Sequence, residues 1–127
     1  MKRDYKKILQ YLFPPSEDEQ NIGSVLSKDF VGSMKIQITD GVCSLLPYSN
    51  TRVRSAVHLL KFHNHAQAKT LLSAVLATYL AKSILNEYII IPIPLSKKRQ
   101  RQRGYNQVTE IISGALLTLP MATLEEH

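Results

Sequence analysis

The chain has 127 residues and carries 16 Lys and Arg against 10 Asp and Glu, a net charge of +6. That length suggests one domain, and 44% hydrophobic with 20% charged residues excludes a disordered composition. The single cysteine, Cys43, excludes an intrachain disulfide framework and a cysteine-only zinc ribbon, and no apolar run reaches the ~20 residues that span a bilayer.

The N-terminus is basic and then apolar. Asp4 and the Pro14-Pro15 pair stand where a signal peptide would have its long apolar stretch and cleavage site. A soluble cytoplasmic protein with no membrane partner is therefore expected. Tyr5, Ile8, Leu9 and Leu12 fall at helical spacing and predict a helix over 3–13, ended by the two prolines. Residues 16–33 are polar and weakly patterned, which suggests a connecting segment with one short helical turn at most.

Strands are expected at about 34–39 and 42–48. Ile36 and Ile38 alternate with polar residues, and Asp40-Gly41 is a strong signal for a two-residue hairpin. Ser49 or Asn50 can cap a helix over about 51–61, with Val53, Val57 and Leu60 on one face. A longer helix is expected over about 66–85, where Ala68, Leu71, Leu72, Val75, Leu76, Tyr79 and Leu80 keep the 3-4 spacing.

Tyr88 to Ile93 is a short, continuously apolar, β-branched run. It suits a strand buried on both faces, as in a parallel sheet. Pro92 and Pro94 end it, and a charged loop follows. Residues 96–103 hold Lys97, Lys98, Arg99, Arg101 and Arg103 and no acid. Without those five cations the chain has 11 basic and 10 acidic residues, or +1. The charge is thus local, which points either to an anion site or to a solvated tract binding polyanions nonspecifically. Gly104 is expected to open a last helix over about 105–118.

The chemistry of 94–107 is that of an anion site. Arg binds phosphate oxygens in a bidentate way. Gly104 would let a backbone N–H approach an anion, a helix N-terminus would follow, and Asn106 and Gln107 could cap that helix or meet ligand hydroxyls. His63 and His65 read as loop residues lacking a third metal ligand, and His58 as a helical residue without a catalytic role. Cys43 reads as an inert thiol, and Glu87 and Glu110 as isolated acids. Tyr105 can either stack on a base or pack within the fold.

The pattern Pro92-Ile-Pro94-Leu95, three residues, Arg99, three residues, Arg103-Gly104-Tyr105-Asn106-Gln107 resembles the signature of the ComF family. These proteins are phosphoribosyltransferase-like and are associated with DNA uptake in competent bacteria. Leu46-Pro47-Tyr48, Leu60-Lys61-Phe62-His63 and Leu12-Phe13-Pro14-Pro15 are similar to other family segments, and the resemblance is strongest over 45–118. It implies an α/β fold, here a truncated type I phosphoribosyltransferase-like one. Residues 1–33 would form an N-terminal helix and connecting segment, and 34–127 a partial phosphoribosyltransferase-like domain.

The implied ligand is phosphoribosyl pyrophosphate with Mg²⁺, or pyrophosphate itself. Lys97, Lys98, Arg99, Arg101, Arg103, Gly104, Asn106 and Gln107 would bind the diphosphate, and the resemblance assigns no catalytic residue. Two departures from the family pattern stand out. The four-Cys module is missing, so no zinc is expected. No pair of acids with a Thr/Gly-rich loop follows the basic segment, so transferase activity is expected to be incomplete. Two other readings stand beside this one. The chain could be a nucleic-acid-binding accessory protein in DNA uptake, engaging single-stranded DNA. It could also be a truncated module completed by a partner or by homo-oligomerisation through an open edge at Ile89–Ile91.

Overall fold

The computed structural model describes residues 8, 9, 11–83 and 89–119. Within them lie α1 (Glu17–Ile22), α2 (Ser27–Val31), β1 (Gln37–Thr39), β2 (Val42–Ser44), α3 (Thr51–His63), α4 (Ala66–Ser83), α5 (Lys97–Arg103) and α6 (Gln107–Thr118).

Of the helix expected over 3–13, residues 8, 9, 11 and 12 are described and are helical; residues 1–7 and 10 lie outside the described part. The segment read as a connector carries two helices. Ser16 caps α1 by accepting the Glu19 N–H, and Glu17, Asp18 and Glu19 sit favourably in its first turn. Ile22, Val25 and Phe30 are buried in the same cluster as Val53, Ala56, Leu59, Leu60, Leu71 and Val75. The sequence hid this contribution, because Ile22 and Phe30 on two short helices and Val25 between them leave no periodic trace. Burying each such side chain is worth about 1.5–3 kcal/mol.

The hairpin forms with the expected turn. Asp40 and Gly41 both take positive φ, at 51° and 77°, and Ile38 faces Cys43 across the antiparallel pair. Its strands are shorter than expected, three residues each. One further backbone bond, Lys35 N–H to the Leu45 carbonyl at 2.9 Å, extends the pairing before Met34, Leu45 and Leu46 turn onto the core.

Asn50 caps α3 through Oδ1, which accepts the Arg52 N–H at 2.9 Å. Asn64 ends α3 in the left-handed conformation, φ 47°. In α4 the expected face is correct: Ala68, Leu71, Leu72 and Val75 are buried, and Leu76, Tyr79 and Leu80 are half-buried. Helix α6 packs along α4, where the Ser73 hydroxyl donates to the Ile111 carbonyl at 3.2 Å and Lys69 pairs with Glu110 at 2.7 Å.

Three expectations in the C-terminal half need correction. The buried strand is not there: residues 89–96 have no regular secondary structure, and Ile89, Ile91 and Ile93 are 90%, 80% and 76% exposed; Tyr88 lies outside the described residues. The described strands form a two-stranded antiparallel sheet, not a parallel one, so no sheet stands beside this run to bury it. The charged loop is the helix α5. Gly104 closes α5 instead of opening α6, with φ 74° and its N–H donated to the Gln100 carbonyl at 2.8 Å. The coarse class stands, a helix-rich chain with a small sheet. No described helix is long and apolar enough to cross a membrane.

Candidate anion-binding site

Helix α5 is built by its ends. The Ser96 hydroxyl accepts the Arg99 N–H at 3.3 Å, and Gly104 takes the left-handed cap that a Cβ would strain. Between them lie seven residues with five cations and no acid. Lys97 and Arg101, and Arg99 and Arg103, are each four residues apart, so like charges face one another on adjacent turns. Lys97 and Lys98 also sit at the positive end of the helix dipole. The element is therefore held by its caps against its own charge. A bound anion would relieve that repulsion.

Lys97, Lys98, Arg99 and Arg101 are exposed, and Arg103 is half-buried. Arg103 Nη1 donates to Gln107 Oε1 at 3.0 Å, and its guanidinium lies 6.0 Å from the centre of the Phe62 ring. Gln107 and Arg103 thus hold each other. Asn106 works at two places: Oδ1 accepts the Val108 N–H at 2.9 Å and caps α6, while Nδ2 donates to the Ile93 carbonyl at 3.1 Å. The expected eight residues are contiguous in space, but their roles divide. The four exposed cations are free to meet a ligand. Arg103, Asn106 and Gln107 fix the frame. Gly104 contributes a cap and does not offer its N–H to an anion.

Tyr105 also has a structural role. Its hydroxyl lies between the carbonyls of Leu60 and Lys61, the latter at 2.7 Å, and accepts the Asn64 N–H at 3.0 Å. It closes the C-terminal end of α3 and brings Phe62 against the basic segment. Sequence reasoning missed Phe62. Its only signal was its place in the Leu60-Lys61-Phe62-His63 run, where an exposed aromatic follows a cation.

Among residues 89–119 the one carboxylate is Glu110, and Lys69 occupies it. No described group of three His, Cys, Asp or Glu side chains converges. His65 Nδ1 accepts the Ala68 N–H at 3.4 Å and so caps α4, and Cys43 is a free, half-buried thiol on the hairpin. In comparisons with known proteins, no family model, no curated protein and no solved structure matches the chain.

Proposed function

We propose that the chain is a phosphoribosyltransferase-like protein of the ComF type that binds a diphosphate, free or within phosphoribosyl pyrophosphate, through 94–107. The observation that carries this reading is the clustering of Lys97, Lys98, Arg99 and Arg101 on an exposed, doubly capped helix with no competing acid. Turnover is expected to be incomplete, since residues 89–119 hold no pair of adjacent acids such as the resemblance calls for. Where a diphosphate is held, these side chains stabilise its charge electrostatically.

Calorimetric titration with pyrophosphate and with phosphoribosyl pyrophosphate tests the reading. Weak binding is expected, and Arg99→Ala combined with Arg101→Ala should abolish it. No heat at millimolar ligand would remove the site.

A second reading, a nucleic-acid-binding accessory role, is favoured by the openness of the same helix. Its cations spread around an exposed surface, as suits a long polyanion. Five cations engaging a single strand would give a log–log salt slope of at most about −3.5. A slope near zero excludes it.

A further inference from the structure

The cations of α5 do not share one face. On a helix, Lys97, Lys98 and Arg101 fall within about 100° of one another, and Arg99 and Arg103 fall together on the opposite side. That second side leads into the fold. Arg103 is half-buried, bonded to Gln107 Oε1 at 3.0 Å and set against Phe62, and Arg99 stands one turn before it. The first side is open, and among the described residues no acid pairs with any of its cations.

The grouping exists only while the segment is helical. In an extended chain Lys97, Arg99, Arg101 and Arg103 would line one side and Lys98 would face the other. Little holds the segment in a helix. None of its seven residues is buried. A helix this short is not stable by itself, and its cations repel one another from turn to turn. The Ser96 cap holds the first turn and the Gly104 cap the last.

We propose that Lys97, Lys98 and Arg101 form the anion site, and that a compact, multiply charged anion such as diphosphate stabilises the helix as it binds. The proposal rests on the diphosphate reading and names the face and the conformation which that reading uses. An anion among the three cations replaces their repulsion with attraction. Binding and helix formation are then one equilibrium, because the anion favours the state in which the three stand together.

The test is calorimetric titration of the full chain with pyrophosphate, with hydrogen exchange of the 97–104 amides followed on the same samples. Without ligand, at an ionic strength matched with chloride, these amides should exchange fast. They should slow about 100-fold at a ligand concentration about 100 times the Kd. Lys98→Gln and Arg101→Gln should each weaken binding about 10-fold. Arg99→Gln should weaken it by no more than about 3-fold, since from the far side it acts through the screened general field. Ser96→Ala removes no charge but should weaken binding about 2- to 30-fold, the range for a lost cap, and Ser96→Asn, which also caps, should restore it. These positions are exposed, so the variants are expected to fold, and a thermal melt checks that. No heat from the parent overturns the diphosphate reading and this proposal with it. Heat from the parent, with a loss for Arg99→Gln at least as large as that for Lys98→Gln, overturns this proposal alone, because an extended segment gives that order. Amide exchange that bound pyrophosphate leaves unchanged does the same.

Discussion

Tyr105 joins two segments that are far apart in sequence. Its hydroxyl satisfies helix-end groups on α3 that lie 41 to 45 residues away. Removing that oxygen leaves the Lys61 carbonyl to find water, while Leu60 and Asn64 keep their own bond at 3.2 Å. Tyr105→Phe should therefore cost about 1 kcal/mol in urea denaturation while leaving pyrophosphate affinity unchanged. A ligand-stacking role would give the opposite pattern. Asn106→Ala removes a cap and the bond to Ile93 together, and should cost about 1–2 kcal/mol by the same measurement. The cap at Asn50 was legible in the sequence because its partners follow at once. The bonds of Tyr105 were not, since nothing local distinguishes a ring that packs from one that waits for a ligand.

Among the elements, those with a continuous apolar stripe were legible. Helices α3 and α4 and the Asp40-Gly41 turn follow from periodicity and turn chemistry. Helix α5 does not, because seven residues without one apolar side chain carry no period to read. Its real signals were Ser96 and Gly104, a cap at each end. The run at 89–93 misled for the opposite reason: a short apolar run looks the same whether a sheet covers it or not. The packing of α6 on α4 likewise depends on a spacing that only the fold reveals. A Cβ at Gly114 would come within 2.9 Å of Ser73 Cβ. Ser73 is buried and bonded to α6, so it has little room to yield. Gly114→Ala should destabilise by about 1–3 kcal/mol. A thermal melt equal to the parent's would show that the two helices can separate without cost.

At the scale of the whole molecule, the excess charge is concentrated in the C-terminal segment, next to one of several exposed apolar runs. Outside 96–103 the net charge is +1, so the rest of the chain neither attracts nor repels a polyanion strongly. Immediately before the cations, Ile89, Ile91 and Ile93 are left open to water. Isoleucine is among the residues most often fully buried, and three of them at alternate positions lie exposed in a segment without regular secondary structure. Helix α5 next to them opposes close approach by a second copy, because two such helices would bring like charges together. The balance between these forces should depend on salt. Sedimentation velocity is expected to show little association at low ionic strength and concentration-dependent association at high ionic strength, where the repulsion is screened and apolar contact persists. Ile91→Lys should keep the chain monomeric under both conditions without lowering its melting temperature, since that side chain is already 80% exposed. Association that instead weakens as salt rises would show that ionic contacts, and not the isoleucines, hold the copies together.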